Sequence, residues 1–128
     1  MSFGEVEIIR RRAEAFLNNA GNLLEKHEWD LAVFNLEQYC QLILKYKLLI
    51  KAGSYLRTHS LRRLVRELAR HDPKVESLVR DERTLHYIAR LEEAYIASRY
   101  MPYSYEEIEA TSLYRFVVET FKPMVEEV

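Results

Sequence analysis

Residues 30–52 read DLAVFNLEQYCQLILKYKLLIKA, without a glycine or a proline. Leu31, Phe34, Leu42, Leu44, Leu48 and Leu49 recur along this stretch, and Val33, Leu36, Ile43 and Ile50 fall on its other faces. A helix that is apolar nearly all round must be covered by other elements. The stretch is therefore predicted as the central, most buried helix. Asp30 is expected to cap or begin it, because a short carboxylate accepts from orphan backbone N–H groups. Lys51-Ala52-Gly53-Ser54 is expected to end it, with Gly53 taking the left-handed cap.

Outward from this centre, the few breakers cut the chain into helix-sized pieces. Toward the N-terminus, Val6, Ile9, Ala13, Phe16, Leu17, Ala20, Leu23 and Leu24 keep helical spacing and predict a helix over 5–26. Gly21 inside it costs about 1 kcal/mol relative to alanine. Toward the C-terminus, Leu61, Leu64, Val65 and Leu68 form one stripe of a third helix over 60–70, which His71-Asp72-Pro73 ends. Residues 74–80 read as a short helical turn. Leu85, Ile88, Leu91, Ala94, Tyr95 and Ser98 predict a fourth helix over 81–99, broken at Met101-Pro102-Tyr103. Ser104 with Glu107 has the spacing of a capping box for a fifth helix over 105–121, which is expected to fray near Pro123. No strand-like alternation occurs. The expected architecture is all-α, one domain over 1–128, a five-helix up-and-down bundle whose first two helices are long and antiparallel.

Composition agrees. The 128 residues are 48% apolar and 30% charged, enough for both a core and a solvated surface. Three glycines and three prolines are too few for a turn-rich β sandwich. The apolar runs are only a few residues long, so no membrane span is expected. The opening MSFGEVEIIRRRAE lacks the apolar core of a secretory signal. A single cysteine, Cys40, excludes an internal disulfide and a cysteine-based zinc site, and in an apolar helix reads as a buried, inert thiol. Together these features point to a cytoplasmic protein. A net charge of −1 excludes a globally basic nucleic-acid binder but not a local basic patch.

Such a patch is present. Arg57 to Arg70 carries five arginines and one acid, Glu67. Arg62, Arg66 and Arg70 repeat at i, i+4 and i+8, with Arg63 and His59 beside them. Guanidinium forks match phosphate oxygens, so Arg57, His59, Arg62, Arg63, Arg66 and Arg70 are candidates for a phosphate or nucleic-acid strip. The plainer reading is a solvated face opposite the leucine stripe. His59 is expected to support the start of the third helix. Ser104 to Val128 has six glutamates against Arg115 and Lys122, and could pair with the basic helix of the same or a second chain. Near Arg99, the phenols of Tyr100, Tyr103 and Tyr105 could stack a base while Arg99 grips a phosphate, or could pack a helix corner or dimer interface. His27, His59, His71 and His86 lack metal-ligand spacing, so neither a metal nor a cofactor is expected.

Three stretches resemble one family when taken in order: Asp30 to Leu49, Thr58-His59-Ser60-Leu61-Arg62-Arg63-Leu64, and Leu91-Glu-Glu-Ala-Tyr-Ile-Ala-Ser-Arg-Tyr-Met-Pro102. Together they are similar to the HEPN family, the higher eukaryotes and prokaryotes nucleotide-binding domain, over about residues 5–125. The resemblance implies a helical, usually homodimeric bundle, often paired with a small nucleotidyltransferase in toxin–antitoxin-like systems. Many members are metal-independent RNases with an Arg-x4-6-His motif. Arg99 matches its arginine, but Tyr105 stands where a histidine is wanted. A phenol with a pKa of about 10 is a poor general base beside an imidazole. Arg66-x4-His71 and Arg80-x5-His86 have the spacing but not the family's position. The favoured expectation is thus a non-catalytic module that binds a nucleotide, a nucleic acid or a nucleotidyltransferase through the basic strip, Arg99 and Tyr103. The alternatives are an RNA endonuclease using Arg99 with Tyr105 or a nearby histidine, and a purely structural dimerisation module.

Overall fold

The structure is a computed structural model that describes residues 2–100 and 104–128, the side chains of 97–100 excepted. All regular structure among the described residues is helical. The elements are α1 (Phe3–Glu25), α2 (Trp29–Ala52), α3 (Leu61–Ala69), a 3₁₀ turn (Pro73–Glu76), α4 (Ser77–Arg80), α5 (Glu82–Tyr100), α6 (Glu107–Phe116), a π turn (Val117–Phe121) and α7 (Lys122–Glu126). Helices α1, α2, α3, α5 and α6 occupy the five expected helical segments, and the short turn expected over 74–80 is itself helical. No helix among the described residues is long and apolar enough to cross a membrane.

Helix α2 is the centre of the core, as its composition requires. Leu36, Tyr39, Cys40, Ile43, Leu44 and Leu48 are buried, and α1, α3, α5, α6 and α7 all pack on it. Gly53 closes it at φ 79°, a conformation that a side chain would strain. Helix α1 returns along α2 through a tight connection in which His27 adopts φ 61° and stacks on Trp29, the ring centroids 5.1 Å apart. Gly21 has a packing reason: a Cβ there would sit 3.2 Å from the Tyr114 hydroxyl of α6. Burial holds the Cys40 thiol well above its ordinary range.

The C-terminal helices are tied to α2 by polar contacts through the core. The buried Tyr39 hydroxyl donates to the Glu126 carboxylate at 2.7 Å, and burial raises its pKa. Lys47 Nζ donates to the carbonyls of Glu126 and Val128 at 2.9 and 3.0 Å.

Of the two roles expected for Asp30 it takes the second: it lies in the first turn of α2 while Glu28 holds the N-cap position, and its carboxylate accepts the backbone N–H of Tyr105 at 2.6 Å. Three local expectations are corrected. The capping box of α6 is Glu106 with Glu109, because the chain enters the helix two residues later than Ser104. Pro123 does not fray the last helix. The π turn at Val117–Phe121 absorbs an extra residue, and Pro123 then falls in the first turn of α7, where a missing N–H costs little. Among the described residues no ion pair joins the acidic C-terminal segment to the basic helix of its own chain. Its Glu109 binds Arg90 of α5, and its Glu126 binds Lys122 and Tyr39.

Candidate nucleic-acid interface

Helix α3 is built as its pattern dictates. Leu61, Leu64, Val65 and Leu68 are buried, and Arg63, Arg66 and Arg70 are exposed on the opposite side. Ser60 is the N-cap and accepts from the N–H of Arg63 at 3.3 Å. Thr58 Oγ1 accepts from the N–H of Ser60 at 3.1 Å, which fixes the approach to the helix.

What anchors α3 is a carboxylate thirty residues away. Glu92 of α5 accepts from Ser60 Oγ at 2.9 Å and from the N–H of Arg62 at 2.8 Å through one oxygen. Its other oxygen accepts from Arg62 Nε at 3.1 Å and Nη2 at 2.8 Å. An acid at a helix N-terminus also meets the positive end of the helix dipole. Of the sequence candidates, Arg62 is therefore committed to an internal ion pair, and Arg70 pairs with Glu67 at 3.3 Å. Arg57, Arg63 and Arg66 make no ion pair among the described residues.

His59 lies at the head of this row. It does not cap α3 but stacks on Tyr95 of α5, centroids 4.1 Å apart and planes 19° from parallel. The Tyr95 hydroxyl lies 3.1 Å from His59 Nε2. Behind it, Gln41 Nε2 reaches the His59 carbonyl at 3.5 Å and also donates to Glu37. Glu37 is fully buried in α2, where it accepts from Gln38 at 2.7 Å. Burial pushes its carboxyl up to about 7, against the pull of the Gln41 and Gln38 amides and of Lys45. Burial in turn lowers the Lys45 ammonium.

The corner after α5 is organised around Tyr105. Its ring is buried, its hydroxyl donates to the Arg90 carbonyl at 3.1 Å, and the Arg90 guanidinium sits 4.2 Å over its face. Arg90 also binds Glu109 at 2.9 Å and Glu93 at 2.7 Å. Burial raises the Tyr105 phenol, so this hydroxyl packs the corner and holds its proton. The Arg99 side chain and all of Tyr103, Pro102 and Met101 lie outside the described residues, as does the Ser98 side chain.

The basic row was visible in the sequence; its support was not. Glu92 and Ser60 had no local signal linking them, because each reads as an ordinary polar helix residue. Glu37 left one trace, an acid in a helix apolar on nearly every face.

A family model, that of the HEPN domain, matches residues 6–128. No curated protein and no solved structure matches the chain.

Proposed function

The chain belongs to the HEPN domain family, and from that premise we propose that its basic face binds a nucleotide or nucleic acid without cleaving it. One observation carries the reading. Arg57, Arg63 and Arg66 are exposed and have no carboxylate partner among the described residues, while Glu92 and Ser60 hold the α3 backbone that bears two of them. Cations on a fixed scaffold, left without internal partners, suit an external anion with phosphate geometry. The stacked His59–Tyr95 pair adds an aromatic surface at the end of the row. A homodimer and a small nucleotidyltransferase partner belong to the same reading. Exposed Phe3 and Ile8 on α1 support an apolar contact with a second copy.

The reading is tested by replacing Arg57, Arg63 and Arg66 together with alanine. Binding of a fluorescent oligoribonucleotide falls by at least tenfold, and the remaining affinity depends on salt less steeply, by about 2 in the log–log slope for three lost phosphate contacts. The circular dichroism melt is unchanged, since none of the three contributes an internal ion pair. Equal affinity in the variant sinks the strip as the binding surface.

A second reading, a metal-independent RNA endonuclease, has one observation in its favour. His59 is an exposed imidazole held against Tyr95, and Arg99 follows Tyr95 by four residues in α5. An imidazole can take a proton from a ribose 2′-hydroxyl while a guanidinium offsets charge on the phosphate. Mixed RNA incubated with the protein in EDTA distinguishes the two. The favoured reading expects RNA recovered intact. Cleavage that is lost in both His59→Ala and Arg99→Ala replaces it with the enzyme.

A further inference from the structure

The α3 strip is not an isolated patch. On α5, Arg83, His86, Tyr87 and Arg90 stand at i, i+3, i+4 and i+7 and so share one side of the helix. Across from them, Ile108, Ser112 and Arg115 make a matching stripe on α6. Cavities that share walls run along α5. The first, about 360 Å³, lies between Arg62 of α3 and the His86 and Arg90 side chains of α5. The next, about 380 Å³, runs from His86, Tyr87 and Arg90 to Ile108 and Ser112. The last, about 220 Å³, lies between Arg83, Tyr87 and Arg115. His86 and Arg90 belong to the first two and Tyr87 to the last two, so the cavities form a single trough that starts beside α3.

The far end of the trough is chemically like the α3 strip. Arg83 and Arg115 are exposed and, like Arg63 and Arg66, make no ion pair among the described residues. Three acids along the way are engaged: Glu93 and Glu109 with Arg90, and Asp81 with the N–H groups of Arg83 and Thr84 at the start of α5. Glu119 lies at the far mouth, within the π turn, and bounds the trough there. Such turns inside α-helices are frequent at functional sites. Between the cationic ends lie the His86 ring and the Tyr87 ring, the latter stacked on Phe116 with centroids 4.8 Å apart.

We propose that the ligand of the basic face is a single-stranded polynucleotide, which continues from α3 along this trough to a second phosphate station at Arg83 and Arg115. The inference rests on the reading of α3 as a phosphate-contacting strip and narrows its ligand. The trough offers a chain of linked cavities, with cations at intervals and rings between them. That arrangement suits a strand whose phosphates repeat and whose bases stack. A duplex keeps its base faces stacked inside, so it has none to offer the His86 and Tyr87 rings.

The test is fluorescence anisotropy on the full chain with oligouridylates of about 4 and about 12 nucleotides, lengths that bracket common single-strand site sizes. Three proteins are compared: wild type, Arg83→Ala with Arg115→Ala, and Arg57→Ala with Arg63→Ala and Arg66→Ala. The wild type binds the longer strand more tightly by more than the number of registers that strand offers. The Arg83/Arg115 variant binds the short strand as the wild type does, but binds the long one about tenfold more weakly. Its salt slope on the long strand is shallower by about 1.4, the value for two lost contacts to a single strand. A 12-base-pair RNA duplex gains nothing from the wild-type trough. If the short strand binds and length adds only registers, or if the Arg83/Arg115 variant matches wild type on the long strand, the trough is overturned and the α3 strip stands. If neither strand binds the wild type, both fall.

Discussion

Replacing Glu92 with alanine lowers the stability of the protein by about 2 kcal/mol, the cost of leaving hydrogen-bond donors without an acceptor at a largely buried site; its partner Arg62 is 43% exposed, so the ion pair itself adds little. The carboxylate is only 14% exposed and accepts four hydrogen bonds, two from the start of α3 and two from the Arg62 guanidinium. Without it the N–H of Arg62 and the hydroxyl of Ser60 lose their acceptor at the packed junction of α3 and α5, and the guanidinium loses its counter-charge. Ser60 remains as the N-cap, so the loss reports the α3 donors that Glu92 leaves without an acceptor. Urea denaturation measures the loss. Glu93→Ala is the control, because the Glu93 side chain is 56% exposed and its pair with Arg90 is backed by Glu109; it costs under about 1 kcal/mol. An effect of Glu92→Ala no larger than that control would remove Glu92 as the anchor of α3. Binding is expected to weaken together with stability, since Arg63 and Arg66 ride on the helix that Glu92 positions.

Glu37→Gln has an effect of similar size with the opposite sign above neutral pH. The buried carboxyl titrates at about 7 in the folded chain, against an ordinary value of 4.5. Through the window between those values the unfolded chain releases its proton while the folded chain keeps it. Stability therefore falls as pH rises from 4.5 to about 7 and levels off above. The two values correspond to about 3 kcal/mol lost by pH 8. Glutamine has the same shape and does not titrate. The variant is expected to match the wild type to within a constant offset at pH 4 and to gain about 3 kcal/mol on it by pH 8. Rearranged pairing with the Gln38 and Gln41 amides contributes only to the offset. Urea midpoints at five pH values give the difference curve, and a flat curve would show that folding does not raise the Glu37 carboxyl. The group is buried for a structural reason. It joins α2 through Gln41 to the His59 carbonyl, so the loop that presents His59 hangs on it.

These two acids mark the limit of what the residue pattern conveys. Glu37 sits in a helix whose burial was evident, and an acid in that setting is conspicuous, yet nothing local says that its neighbour is the loop before α3. Glu92 and Glu93 are adjacent and look equivalent in the sequence. One anchors a helix and the other forms a half-exposed pair with Arg90. Tyr105 is a similar case. Its position after Arg99 drew it into the candidate chemistry, but its ring lies in the core under Arg90 and its backbone N–H binds Asp30. The Arg83–Arg115 trough was missed although half of it was legible. Arg83, His86, Tyr87 and Arg90 repeat with helical spacing beside the apolar stripe of Leu85, Ile88 and Leu91, and that pattern announces a face. That Arg115 stands opposite was not legible, because the facing of α6 depends on how it rotates against α5.

The residue pattern alone places the helices, marks the innermost one, and sets the arginines of α3 opposite its leucines. All three follow from the 3.6-residue period, a property each segment holds without reference to any other. The tertiary structure alone decided which arginines remain without a carboxylate partner, which acid anchors α3, and that His59 meets Tyr95. Those facts turn on helix rotation and crossing, which the close packing of side-chain volumes from the whole core sets and which no local pattern encodes.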